Sequence, residues 1–74
     1  MSRLPALNAK KLSGILKKLG FKPVRQRGSH IFFRHPDGRT TVVPFHAGED
    51  IDHNLLRQII REIGLTPEEF SMCL

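Results

Sequence analysis

The stretch RQRGSHIFFRHPDG, residues 25–38 of a 74-residue chain, sets three arginines, two histidines and two glycines close together. The guanidinium fork of arginine matches two phosphate oxygens at once. Imidazole takes up and gives back a proton near neutral pH. Those two abilities suit RNA cleavage, because RNA carries its own nucleophile, the 2′-hydroxyl. A protein need only remove that proton, neutralise charge building on the phosphate, and protonate the leaving oxygen. His30 is the catalytic candidate, with Arg25, Arg27 and Arg34 as phosphate ligands. Gly28 would let a phosphate approach the backbone closely, and Ser29 stands beside it. His46 is the candidate second polar group. General acid/base catalysis supplies about 10²- to 10⁴-fold, so this set predicts a slow, metal-independent nuclease.

Other chemistry fits less well. His30 and His35 lie five apart on one expected strand and point to opposite faces. His46 and His53 form no helical i, i+4 pair, so no metal-ligand spacing emerges and no metal or cofactor is expected. Ser29 precedes His30 on the same strand, and adjacency of that kind is no evidence for a Ser-His-Asp triad. No P-loop glycine pattern is present. His35 reads as a solvated turn residue that could be lost at little cost, and His53 as part of a helix start.

Charge distribution supplies the substrate class. Residues 1–39 hold ten Lys or Arg against one Asp, a net +9; residues 40–74 hold two Arg against six Asp or Glu, a net −4. The basic half is a candidate anion-binding surface. Lys10, Lys11, Lys17 and Lys18 fit a solvated helix face that extends it. Nucleic acid ranks ahead of membrane, because that helix has no aromatic on its apolar side. Phe32 reads equally well as a base-stacking platform and as a hydrophobe covered by a partner. The single Cys73 excludes an internal disulfide, and a reducing cytoplasm is the expected setting.

These residues need elements to position them, and the pattern supplies one domain over 1–74, with 1–7 expected to be flexible. Asn8 caps a helix whose apolar stripe is Leu12, Ile15, Leu16 and Leu19, ending at Gly20. Gly14 inside it suggests a close approach of another chain or element. Three strands follow at 21–27, 29–35 and 39–45, with PDGR as a hairpin turn. Pro23 and Pro44 suit edges or strand ends. Ile31 and Phe33 should meet the helices, leaving His30, Phe32 and Arg34 on the other face. Asp50 or Asp52 caps a second helix carrying Leu56, Ile59, Ile60 and Ile63, which closes at Gly64. TPEE then reads as a capping box for a short last helix. The expected fold is α+β: α-β-β-β-α, a three-stranded antiparallel sheet with two helices packed on one face and a short C-terminal helix.

The motifs LKKLGF, VRQRGSH, HPDGR, TVVPFH, GE and LLRQIIREIGL follow one another in this order. Over roughly residues 11–70 the chain resembles the HicA-type toxins, mRNA interferases of toxin–antitoxin pairs. The resemblance implies a fold like that of double-stranded-RNA-binding domains, and ribosome-independent RNA cleavage without a metal. It also implies a HicB antitoxin that covers the active site. It makes His30, in the Gly-Ser-His box, the essential histidine and Arg27 the basic position before it. The chain departs from many relatives at Asp52–Asn54, where they carry a glycine-threonine pair, and at Ile31, where they carry a second histidine. The expected function is therefore a toxin endoribonuclease acting on mRNA. A non-catalytic RNA-binding module of the same fold is the alternative, and a pure protein-interaction module the third reading.

Overall fold

Helix ends are set by local chemistry. In the computed structural model, which describes residues 4–74, α1 runs Ala9–Lys18, and the Asn8 side chain accepts from the Lys11 amide at 2.8 Å. That satisfies one of the donors a helix start leaves unpaired. The chain turns out at Gly20, with φ at 98°. There the Phe21 amide donates to the Leu16 carbonyl at 2.9 Å and the Gly20 amide to that of Lys17 at 3.1 Å. These paired bonds, with buried Phe21 against buried Leu16, are how a left-handed residue closes a helix. Helix α2 (His53–Glu62) is capped by Asp52, whose carboxylate accepts from the Asn54 and Leu55 amides at 3.0 and 3.3 Å. Asp50, the other cap weighed from the sequence, bridges to Asn8 instead. Helix α3 (Pro67–Ser71) carries the expected capping box between Thr66 and Glu69.

Strands β1 (Lys22–Arg27), β2 (His30–Arg34) and β3 (Thr40–Pro44) form an antiparallel sheet in the order β1-β2-β3, so β2 is central. Pro23 and Pro44 fall on the two edge strands, where a missing N–H does least harm. This is the expected α-β-β-β-α arrangement with a short last helix. Gly28 and Ser29 make a two-residue turn between β1 and β2. Gly28 has φ at 55°, a positive value that glycine adopts at low cost in a two-residue hairpin turn. The β2–β3 turn runs through Pro36, Asp37 and Gly38, closed by the His35 amide on the Arg39 carbonyl at 2.9 Å.

The pleat sorts the sheet into two faces. Phe33 and Val43 are buried, Ile31 packs beside them, and the three join Leu12, Leu16, Leu56, Ile59, Ile60, Ile63 and Phe70 in one core. Ile31 and Phe33 thus face the helices, as the alternation predicts. Of residues 1–7, expected to be flexible, 1–3 lie outside the described residues. Leu7 is buried and its carbonyl accepts from the Ile51 amide. Gly14 was expected to admit another chain or element; among the described residues no element of this chain approaches it, since a side-chain carbon there would meet nothing within 4 Å.

His35 corrects a second expectation. Its ring meets Phe21 edge-on with centroids 5.1 Å apart, and its Nδ1 accepts from the Asp37 amide at 3.1 Å. A carbon added to Gly20 would come within 2.9 Å of its Nε2. The imidazole is half-buried between a helix end and a turn rather than fully solvated, with room made by the glycine that ends α1.

Candidate active site on the open sheet face

Cross-strand pairing places the candidate residues side by side. Arg27 pairs with His30, Arg25 with Phe32, and Lys22 with Arg34. On the other side of β2, His30 pairs with Pro44, Phe32 with Val42 and Arg34 with Thr40. Directly opposed residues share a face, so His30, Phe32, Arg34, Arg25, Arg27 and Lys22 occupy the face turned away from the helices. Arg25, Arg27, His30 and Arg34 are all exposed.

Two local features produce this gathering. The two-residue turn fixes Arg27 opposite His30, and alternation then brings Arg25 to the same face. A bulge at Val24 does the rest, because an extra residue there resets the alternation. Val24 is extruded with 59% of its surface exposed, Pro23 takes the place opposite buried Phe33, and Lys22 joins the open face. Lys22 was not singled out from the sequence. Counting by twos from Arg27 puts it with the inward residues, and only the bulge reverses that.

The Arg25 guanidinium lies over the Phe32 ring, 5.4 Å from its centroid. The pair offers a flat cationic and aromatic surface at the centre of the sheet. Gly28 has open space around it, so its left-handed backbone is what demands glycine there. The carbonyl of half-buried Ser29 accepts from the Phe45 amide at 2.6 Å, tying the turn to the segment after β3.

On the β3 side, His30, Val42 and Pro44 line a groove of about 180 Å³ whose far wall is Leu55, Gln58 and Glu62 of α2. The adjoining groove, about 230 Å³, shares Pro44 and Leu55 and holds His46 with Glu49, Asp50 and Asp52. His46 is therefore one groove removed from His30, among three carboxylates. Lys10 borders a further groove with His46, Phe45 and Gly48. Lys11 and Lys18 line a different one, against Ile15, Cys73 and Leu74. The α1 lysines lie on the helix layer, because their helix packs on the sheet through Leu12 and Leu16. They do not continue the arginine-bearing face, as the sequence reading expected.

Arg39 is occupied elsewhere. Its guanidinium donates to Asp37 at 2.8 Å and to the Ile63 carbonyl, and stacks over Phe21. It closes the C-terminal end of α2 from the hairpin turn. The Arg39 backbone N–H, then its side chain, holds the Asp37 carboxyl below its ordinary value. Among the described residues no three His, Cys, Asp or Glu side chains cluster to hold a metal ion, and no helix is long and apolar enough to cross a membrane.

A family model described as HicA toxin of bacterial toxin-antitoxin matches residues 9–65. The chain belongs to the HicA toxin family. That span runs from the start of α1 past the end of α2 and includes the whole sheet. Membership makes the protein a toxin component and implies an antitoxin partner. No curated protein matches the chain. At the start of α2 the Asp52 carboxylate already occupies the helix amides. A phosphate arriving there would meet a negative charge.

Proposed function

We propose that this HicA-family toxin is a metal-independent endoribonuclease acting on mRNA, with His30 transferring the proton and Arg25, Arg27 and Arg34 holding phosphate. The observation that carries the reading is the pairing of Arg27 with His30 across β1 and β2, with Lys22 and Arg34 paired farther along the same face. Cations beside an imidazole on an uncovered face provide charge neutralisation and proton transfer together. Gly28 and Ser29 contribute by shaping the turn that presents His30. Lys10 and Lys11 act, on this reading, by general attraction from the helix layer. The partner is a HicB-type antitoxin that covers the open face, and the working compartment is the cytoplasm.

The test is incubation of purified protein with mixed-sequence RNA in EDTA. Wild type is expected to cleave, and His30→Ala to lose at least about 100-fold in rate. Equal cleavage by both would sink the assignment. Binding without cleavage by wild type would favour the RNA-binding alternative, for which the Arg25–Phe32 stack is the supporting observation.

A further inference from the structure

A histidine alone leaves half of the reaction unassigned, since one proton must be taken from the 2′-hydroxyl and another given to the leaving oxygen. We propose that Glu62 of α2 is the second proton-transfer group: the general base to His30's general acid. The proposal rests on the ribonuclease reading above. Among the described residues, the groove beside His30 contains one other titratable side chain, and it is Glu62. The carboxylate is held from both sides. The Thr41 hydroxyl, on a residue only 3% exposed, donates to Oε1 at 2.9 Å, and Gln58 Nε2 donates to Oε2 at 3.3 Å. Each oxygen keeps a further lone pair for an incoming proton.

The roles sort by chemistry. Carboxylates as a class are ionised at neutral pH and accept protons, whereas imidazole can carry one to give away. The surroundings agree. Arg27 flanks His30 on the β1 side, where a phosphate would dock, and Glu62 lines the groove on the opposite, β3 and α2 side of His30, away from the arginines. In the step itself, the Glu62 carboxylate takes the 2′-hydroxyl proton as the 2′-oxygen forms its bond to phosphorus. The bond from phosphorus to the 5′-oxygen breaks, its electron pair goes to that oxygen, and His30 supplies the proton. A 2′,3′-cyclic phosphate and a 5′-hydroxyl result, and water restores both side chains.

The structural role of Glu62 can be separated from this one. Glu62→Gln keeps an oxygen for the Thr41 hydroxyl but loses the basic carboxylate. Cleavage of RNA in EDTA is expected to fall at least about 100-fold in Glu62→Gln, with the thermal midpoint close to wild type and RNA affinity no weaker. His46→Ala is expected to cleave as wild type does. A second substrate assigns the direction: an oligoribonucleotide carrying sulfur in place of the bridging 5′-oxygen at a bond that wild type cleaves. A thiolate leaves without protonation, so this substrate should restore cleavage by His30→Ala and leave Glu62→Gln slow. Wild-type cleavage with undiminished Glu62→Gln overturns the Glu62 assignment alone, as does rescue of Glu62→Gln by the sulfur substrate, or loss of activity in His46→Ala. Failure of wild type to cleave any RNA overturns the ribonuclease reading, and this proposal with it.

Discussion

Two histidines five residues apart have opposite uses. His30 stands exposed on the open face with Arg27 and Pro44 on either side. His35 is wedged against Gly20 and Phe21, with its Nδ1 committed to the Asp37 amide. From the residues alone, His35 belonged to a turn, and the turn was legible in Pro36, Asp37 and Gly38. What could not be read was that the end of α1 closes over the ring, since that contact joins residues far apart in the chain. Asp37 is the titratable member of the same cluster. Its folded-state value lies below the ordinary one because Arg39 donates to it from backbone and side chain. Its contribution is therefore complete above the ordinary carboxylate range and lost as pH falls through the lowered folded value. Urea unfolding at several pH values should find Asp37→Asn less stable than wild type at neutral pH. The gap should close in acid, and a gap independent of pH would contradict the linkage.

At the level of elements, both long helices, their caps and their closing glycines follow from short-range rules, as do the three strands to within a residue at either end. The sorting of β2 into Ile31 and Phe33 inward, His30 and Arg34 outward, was equally legible. The bulge at Val24 was not, because nothing in KPVRQR marks where an extra residue will be extruded; opposition to Phe33 decides it. Glu62 escaped for a related reason: it lies in the acidic half of the chain, and only packing of α2 beside β3 brings it into the groove that His30 lines. The Gly28–Ser29 turn gives the test at this scale. With φ at 55° and no neighbour to strike, Gly28→Ala should cost about 1 kcal/mol in a denaturant melt. Gly28→Asn should cost less, because asparagine tolerates the left-handed region. RNA cleavage should survive in Gly28→Asn. Loss of cleavage with stability retained would mean that the glycine meets phosphate directly.

For the whole molecule, the +9 and −4 halves of the sequence do not map onto two simple sides. Folding puts Lys22, Arg25, Arg27 and Arg34 on the sheet face and the α1 lysines on the helix layer, and it spends Arg39 on an internal tie. Net charge thus overstates what an RNA strand would meet. If the four sheet cations each neutralise one phosphate of a single strand, the logarithm of the binding constant should fall with that of salt at a slope of about −3. Arg27→Ala should reduce the steepness by about 0.7. A slope of about −6 would show that the four helix lysines take part, and an unchanged slope in Arg27→Ala would remove that residue from the interface.

The outer edge of β1 has a consequence of its own. All six of its residues are exposed, and among the described residues no neighbouring strand pairs with that side. An uncovered edge invites another copy to zip onto it. Here a proline, an extruded valine and three cations stand along it, and like charges brought strand to strand repel. On the proposed reading, the arginines that would grip RNA therefore also place repelling charge along this edge. Neutralising them to abolish RNA binding carries a risk of self-association, so light scattering belongs beside every affinity measured on such variants.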